Sequence, residues 1–305
     1  MTTHLVSLIS EHLLPNFLLA KEMEGKFDRH IFITTARMGE SMTARFCNAL
    51  KIDKKDIQIV IVSEDDLPDA RKKLNKCNFS KDDGYIINLT GGTKIMSIAI
   101  FQHFFKYEAE YYYIPIGINK IENVRTGEDV PLNYRINVEE YLSLYGLHFK
   151  LKATKYETGN NPGERFEKYI FNRIKNDKCL NDEHIKRGVE IFRDNEQKTN
   201  DNEIDVVWTI DNQIFVGECK VSLSPPTGRV TRANPVNYLD QIMYKLSAIS
   251  KDFGLRVNPY IFIKTPLKPT VFNADRMKAI AKRLQILGIK GLLTGNDFKQ
   301  QKLKI

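Results

Sequence analysis

Asp205, Glu218 and Lys220 are the residues of this sequence whose types and spacing could do hydrolytic chemistry. They lie in Asn202–Val221, NEIDVVWTIDNQIFVGECKV, which reads as two strands rich in Val, Ile, Phe and Trp. A tight turn at Asp211-Asn212 joins them. Residues two apart on a strand share a face, so Glu218 and Lys220 project together while Cys219 points to the opposite, buried side. Pairing of the hairpin brings Asp205, at the head of the first strand, to meet them. Two carboxylates and an ammonium on one apolar platform suit a hydrolytic metal site. Hard carboxylate oxygens hold Mg²⁺ or Mn²⁺. Such an ion polarises a phosphoryl oxygen and lowers the pKa of a bound water. A lysine beside it positions that water and offsets charge building up in the transition state. The triplet alone is weak, because E-x-K occurs three times, at Glu24-Gly-Lys26, Glu196-Gln-Lys198 and Glu218-Cys-Lys220, and an exposed ion pair explains most such triplets. Only the third stands in an apolar strand-like run with an Asp at the head of the preceding strand.

Length and composition bound the possibilities. A chain of 305 residues has two domains as its natural prior, and 42% hydrophobic residues suffice for ordinary cores. No apolar run reaches the roughly 18–20 residues of a membrane span. The N-terminus lacks a basic region and meets Glu11 and His12 early, which speaks against a secretory signal. The cysteines Cys47, Cys77, Cys179 and Cys219 are scattered without a C-x-x-C pair, and the six histidines are equally dispersed. This spacing argues against a zinc site or a disulfide framework and fits a reducing cytoplasm. The net charge of +8 is unevenly shared. Residues 1–148 carry 18 Lys and Arg against 20 Asp and Glu, and residues 149–305 carry 28 against 18. The basic half therefore holds Asp205, Glu218 and Lys220, and it implies a polyanionic substrate, nucleic acid first. A merely soluble lysine-rich surface is the plainer explanation of the same charge.

The first half alternates strand-like and helical patterns. Apolar runs at Leu5–Ile9, Ile31–Thr35, Ile57–Val62, Tyr85–Leu89 and Glu110–Ile114 enclose helical stretches near 12–23, 39–50, 65–77 and 93–106. That order predicts right-handed crossovers and a largely parallel, doubly wound α/β sheet. Ligands of such sheets lie beyond the carboxyl ends of the strands. The first run ends at Ser10, the second in Thr34-Thr35, and the fourth in Asn88-Leu-Thr-Gly-Gly-Thr-Lys94 running into a helix. Gly91 and Gly92 permit a tight backbone path, Thr93 can cap the helix, and free N–H groups with Lys94 form an anion cradle. Neither the Walker loop nor the dinucleotide fingerprint is present, and a glycine turn that eases helix–sheet packing accounts for the same residues. The pattern predicts a helix at Val138–Leu147 next. Polar Lys152–Pro162 marks the expected boundary, giving domains at 1–151 and 163–305 with a linker at 152–162. A helix then opens after Pro162-Gly163, with Phe166, Ile170 and Ile174 on one face and Glu167 beside it. Ser222–Asn237 reads as an exposed loop able to track a phosphate backbone. Tyr238–Phe253 is an amphipathic helix carrying Gln241 and Lys245, Tyr260–Lys264 a strand and Asn273–Leu287 a basic helix. The second half is thus α+β around a small mixed sheet.

Taken together, these pieces resemble the type III CRISPR-associated nucleases that pair a CARF sensor domain with a PD-(D/E)XK nuclease domain. In the first half the resemblance rests on LVSLIS with Pro15-Asn16, NLTGGTKIMS at 88–97, Tyr113-Ile-Pro-Ile-Gly117 and Tyr141-Leu-Ser-Leu-Tyr-Gly146. In the second half it rests on Gly163-Glu-Arg-Phe-Glu167, Asn202-Glu-Ile-Asp205, Glu218-Cys-Lys220 and Tyr244-Lys-Leu246 with Phe253-Gly254. The resemblance implies a Rossmann-like CARF domain followed by a restriction-endonuclease-like domain. It implies a homodimer, idle until a cyclic oligoadenylate, usually the tetra-adenylate, binds across the two-fold axis between paired CARF domains. Ser10, Thr34, Thr35, Gly91, Gly92, Thr93 and Lys94 would line that site. Glu167, Asp205, Glu218 and Lys220 would be the catalytic residues, with Asp205 and Glu218 on Mn²⁺ or Mg²⁺ and Gln241 a lesser member. DNA or RNA would be the substrate. Some relatives carry an extra segment between the domains, where this chain has only its short linker.

Two other readings compete. A ligand-sensing regulator that binds nucleic acid without cutting it needs the first-half site and the basic second half, but not Asp205 with Glu218-x-Lys220. An ungated restriction or repair nuclease would use its first domain to read DNA, yet that half is slightly acidic where a DNA reader should be basic.

Overall fold

Short runs rich in Val, Ile, Phe and Tyr set the frame of both halves, because such residues fit a pleated surface buried on both faces. The computed structural model describes residues 1–115, 117–152, 161–193, 202–223, 234–254 and 257–305. Most of the linker expected at 152–162, most of the loop expected at 222–237, and Glu196 to Lys198 lie outside the described residues. The chain divides into two compact units, Met1–Ile136 with Ser143–Gly146, and Asn137–Leu142 with Leu147–Ile305.

The first unit alternates strand and helix: β1 (Thr3–Leu8), α1 (Leu14–Glu22), β2 (Arg29–Thr34), α2 (Gly39–Leu50), β3 (Ile57–Ile61), α3 (Leu67–Asn75), β4 (Gly84–Asn88), α4 (Lys94–Phe104) and β5 (Ala109–Tyr113). A short antiparallel extension, β6 (Lys120–Asn123) and β7 (Asp129–Pro131), completes a seven-stranded sheet of order β3-β2-β1-β4-β5-β6-β7. β1 lies between β2 and β4 and is parallel to both. The winding direction reverses between β1 and β4, and in open α/β sheets such a reversal leaves a crevice at the strand ends. The core joins Val6, Leu8, Ile31, Ile33, Ile87 and Tyr111 of the sheet to Ala70 and Leu74 of α3 and Met96, Ile100 and Phe104 of α4. The five parallel strands and four helices agree with the pattern read from the sequence, whereas β6 and β7 were not expected.

After α5 (Val138–Leu144), the second unit contains β8 (His148–Leu151), α6 (Pro162–Asp177), β9 (Ile185–Phe192), β10 (Asn202–Ile210), β11 (Gln213–Lys220), α7 (Pro235–Ser250), β12 (Val257–Ile263), α8 (Ala274–Ile286) and β13 (Gly291–Thr294). Its sheet runs β13-β12-β11-β10-β9-β8, antiparallel from β8 to β11 and parallel from β11 to β13. Because β8 pairs with β9, residues 148–151 belong to the second sheet, and the division falls earlier than the expected end of the first domain at 151. The turn between β10 and β11 is the one expected: Asp211 and Asn212 both take positive φ, 50° and 60°, the conformation of a two-residue hairpin matched to strand twist. On one face of this sheet, Phe166, Ile170 and Ile174 of α6 pack on Val206, Trp208, Cys219 and Phe262. Gly217 is required there, because a Cβ would sit 2.8 Å from the Phe262 ring. α7 packs against β11 and β12 and buries Leu239, Ile242, Met243 and Leu246. Asn161, Asn234 and Asn273 cap α6, α7 and α8 with their side-chain oxygens, and Pro162 and Pro235 occupy first-turn positions that need no N–H.

Two histidines of the first unit are buried without charge. Burial lowers His30 to a pKa of about 4, Asp56 only partly opposing it, and burial with the nearby Lys106 lowers His103 to about 4. Both must be protonated in the unfolded chain below its ordinary value of 6.5 while remaining neutral in the fold. The melting temperature is therefore expected to hold above that value and to fall progressively from there toward about pH 4. Calorimetric melts across this range check it, and a flat profile would contradict the burial assigned to the two rings.

Candidate active site

The hairpin register decides whether the candidate residues meet. Val206 pairs with Gly217, which places Asp205 opposite Glu218 at the end of the ladder. Period-two alternation then sets Asp205, Glu218 and Lys220 on one face and Cys219 on the other, among the α6 side chains. The Lys220 Nζ donates to Glu218 Oε1 at 2.6 Å and to the Cys219 carbonyl at 3.1 Å, and lies 3.9 Å from Asp205 Oδ2. The Cys219 N–H donates to Asp205 Oδ2 at 2.6 Å. Asp205 and Glu218 are buried, at 7% and 4% exposure. Three oxygens from two strands thus converge on one ammonium, the oxygen set a hard divalent cation takes.

The electrostatics follow from that burial. Desolvation, then the neighbouring Glu218, push Asp205 up to about 7, against the pull of Lys220 and the Cys219 N–H. Desolvation alone would lower the Lys220 ammonium, but Glu218 and Asp205 outweigh it and hold it above the usual lysine range. Burial keeps the Cys219 thiol protonated far above its ordinary range, so it serves packing. Glu167, on α6, is half-buried. Its carboxyl is raised by desolvation and then by Glu203. It acts on Asp205 through its field, and among the described residues it does not join Asp205 and Glu218 in a three-residue metal group. Gln241 is exposed on α7, one turn before Lys245. Lys245 Nζ lies 3.5 Å from Glu218 Oε1, a contact that α7 makes across the sheet face and that no sequence spacing announced.

The expected ligand residues of the first unit gather where β1 and β4 end. Gly91 takes a φ of +100°, and a Cβ there would lie 2.9 Å from the Leu8 carbonyl and 3.5 Å from Ser10 Oγ. The TGGT turn therefore lies directly against the end of β1. Thr93 caps α4 by accepting from the Met96 N–H, and its own hydroxyl donates to the Glu64 carbonyl. Lys94 is exposed at the first position of α4. Thr35 is buried at the end of β2. Thr34 is wholly buried and spends its hydroxyl on the Ile9 carbonyl, so it ties β2 to β1 rather than facing the strand ends. Beneath the turn runs a buried amide chain that sequence reading missed as a functional support. Asn16 donates to the Leu8 carbonyl at 2.7 Å, Asn88 donates to Asn16 Oδ1 at 2.9 Å, and Asn88 Oδ1 accepts from the Thr90 N–H at 2.9 Å. An asparagine closing an apolar strand was the available signal. An open pocket of about 620 Å³ adjoins the turn at Leu89 and is lined also by Tyr113, Lys120, Glu122 and Asp129.

Both halves match known families. The family model described as the Card1 CARF domain matches residues 4–141. The one described as the Card1-like endonuclease domain matches residues 154–294. The chain joins a Card1 CARF domain to a Card1-like endonuclease domain. None of the curated proteins matches it. Among solved structures it is similar to Can2 from Sulfobacillus thermosulfidooxidans in complex with cyclic tetra-adenylate, with a TM-score of 0.72 at 19% identity over 96% of this chain and 95% of that one. It is similar to protein VC1899 from Vibrio cholerae, with a TM-score of 0.75 at 13% identity over 97% and 95% of the two chains. A type III CRISPR defence DNA nuclease activated by cyclic oligoadenylate gives a TM-score of 0.60 at 13% identity over 92% of this chain and about half of that one, 52%. At these identities the likenesses show the fold alone, an α/β architecture shared over nearly the whole chain. No helix among the described residues is long and apolar enough to cross a membrane.

Burial of the Asp205 carboxyl has a measurable consequence. Its folded pKa of about 7 lies above its ordinary 3.8, so the fold binds a proton that the unfolded chain has lost. The contribution of Asp205 to stability therefore falls as pH rises between these values, opposing that of the two buried histidines, and stays lowered above about 7. Asp205→Asn removes this loss. In chelator-treated protein it is expected to melt higher than the parent by roughly 2–4 °C above neutrality, and the gain should close toward pH 4. Equal melting temperatures at alkaline pH would show that the carboxyl is not desolvated.

Proposed function

We propose that this protein is a metal-dependent nuclease of type III CRISPR antiviral defence, switched on by a cyclic oligoadenylate, with cyclic tetra-adenylate the first candidate. The observation that carries the chemical half is the convergence of Asp205, Glu218 and the Cys219 carbonyl on the Lys220 ammonium. Asp205 and Glu218, with the Cys219 carbonyl, would hold the ion. The set is all oxygen and anionic, which suits Mg²⁺ or Mn²⁺ and not a soft metal. When bound, the ion supplies Lewis-acid activation of a phosphodiester and of the attacking water. Asp205, raised to about 7, gives up its proton on binding, so affinity for the ion rises with pH up to about that value. Lys220 stays charged throughout, holds water by its N–H donors, and meets the negative charge that grows on phosphorus oxygens as the bond breaks. Glu167 supports the ion's water shell from α6. The excess of Lys and Arg in residues 149–305 supplies the field for a DNA or RNA strand.

The sensing half rests on the switch-point turn. The N-terminus of α4, the Gly91-Gly92 path, Lys94 and Ser10 present N–H groups and positive charge toward a phosphate. Thr93 and Thr35 shape the rim. A ring with four phosphates and two-fold symmetry suits a homodimer in which each copy presents one such turn. Exposed Ile98 on α4, the helix that begins at this turn, and Phe105 just past its end provide apolar surface for a second copy. The solved Can2 complex supports cyclic tetra-adenylate as the ligand to test first.

The deciding experiment is incubation of the protein with labelled single- and double-stranded DNA and RNA, with Mn²⁺ or Mg²⁺, and with or without cyclic tetra-adenylate. Cleavage should require the metal and rise with the ring. Glu218→Ala is expected to abolish cleavage, by a factor of about 10² or more, while leaving ring binding intact. Residual metal-dependent cutting by pure Glu218→Ala protein would sink the assignment. Lys94→Ala is expected to weaken ring affinity about tenfold, with cleavage restored at saturating ring. Unchanged affinity by isothermal titration would remove Lys94 from the site.

A further inference from the structure

The catalytic carboxylate Glu218 carries two ammonium groups, and only one of them fits the chemistry proposed above. Its side chain is 5% exposed, and its Oε1 accepts from Lys220 at 2.6 Å. The same oxygen lies 3.5 Å from the Nζ of Lys245. Lys220 is held by three oxygens, comes from the same strand as Glu218, and is largely covered. Among the described residues Lys245 has this one long contact; it comes from α7 and is half exposed at 51%. Two ammonium groups thus face Asp205 and Glu218 before any ion is bound. A divalent cation between Asp205 and Glu218 would leave this site doubly positive if both lysines stayed. The lysine with the weaker hold and the shorter path to water is the one that leaves.

We propose that Lys245 is a positioning residue: it acts as the counter-ion of Glu218 while the site is empty, then releases it and takes a backbone phosphate of the incoming strand. The inference rests on the metal reading of Asp205 and Glu218. Two functions follow from one movement. Holding Glu218 keeps a buried carboxylate paired, since an unpaired charge there is costly. Releasing it puts a cation on a four-carbon stem at the rim of the site, where a strand lying over Asp205 and Glu218 brings phosphates. A phosphodiester on each side of the ion would then offset the double positive charge of the ion and two lysines over the two carboxylates. Lysine suits this exchange because its ammonium is a point charge with rotatable donors and no fixed fork. α7 is well placed to deliver it, because Leu239, Ile242, Met243 and Leu246 anchor the helix in the core and Asp240 pairs with Arg283 of α8.

The test uses the full-length protein, Lys245→Met and Lys245→Arg, each first checked for an unchanged melting temperature. Mn²⁺ is titrated by calorimetry at neutral pH without a strand. Binding of a labelled DNA strand is then measured with Ca²⁺ in place of Mn²⁺ across a salt series. Lys245→Met is expected to bind Mn²⁺ about two- to fivefold tighter than the parent, because a competing cation is gone. It should bind the strand more weakly, with the slope of log affinity against log salt reduced by about one. Lys245→Arg should keep the parent's strand affinity and salt slope. Mn²⁺ affinity in Lys245→Met equal to or weaker than the parent's overturns the counter-ion role, and an unchanged salt slope overturns the phosphate contact. A parent protein that binds no Mn²⁺ overturns instead the metal reading on which both depend.

Discussion

The shared ammonium of Lys220 is the interaction on which the second half depends. Two carboxylates buried within one sheet cannot both be ionised without a cation, since withdrawing a charge from water costs about several kcal/mol per ion even after relaxation. The hairpin resolves this with groups only two residues apart on β11 and one across on β10. The result is a balance rather than a gain: Asp205 is still raised to about 7. Replacement by apolar residues would serve the fold better. A chain that keeps such a cluster in its core keeps it for what the cluster can bind. The surrounding packing is arranged to protect the geometry. Cys219 turns its thiol into the α6 face, Gly217 makes room for Phe262, and Trp208 stacks on Phe215, so β10 and β11 cannot shift by one residue without exposing an aromatic wall.

The first half shows the same logic with neutral groups. The turn proposed to take the ligand sits at the sheet's switch point, and its backbone could collapse into the crevice if nothing held it. Asn16 and Asn88 hold it from beneath, each amide using donor and acceptor on main-chain or amide partners around the ends of β1 and β4. Thr90 extends the chain to the Ile114 N–H at 2.7 Å, tying the turn to the end of β5 as well. A fully satisfied buried network of this kind fixes one conformation. The turn is thereby prepared before any ligand arrives, and ordering it costs the ligand little.

How far this was legible in the sequence depends on whether a feature is local. The five parallel strands are buried on both faces, so Leu5–Ile9 or Tyr85–Leu89 announce themselves as apolar runs. β6 and β7 hide because they extend the sheet outward with Lys120, Glu122 and Asp129, whose charges pair with one another. β9, IKRGVEIF, hides because its charged side chains alternate irregularly with its buried ones. The trio Asp205, Glu218 and Lys220 was legible because strand periodicity and one hairpin turn fix it. Lys245 was not, because the angle at which α7 crosses the sheet decides its contact with Glu218, and nothing local records that angle. The use of the Thr34 hydroxyl was hidden for a related reason. Being at a strand end suggests exposure, but the hydroxyl donates to the Ile9 carbonyl beyond β1.

The division of charge between the halves constrains how such an enzyme can be controlled. Residues 149–305 hold 28 Lys and Arg against 18 Asp and Glu, so a nucleic-acid strand is drawn to the nuclease half whether or not a ring is bound. That attraction alone does not distinguish a resting protein from an activated one, so control has to act where geometry is tight, at the few ångströms between Asp205, Glu218 and the lysines. There the proposed metal reading requires the lysine contacts of Asp205 and Glu218 to be exchanged for contacts with an ion and a phosphate. Differential affinity of the ring for two arrangements of the protein is the thermodynamic means by which a ligand of the first half can bias that exchange.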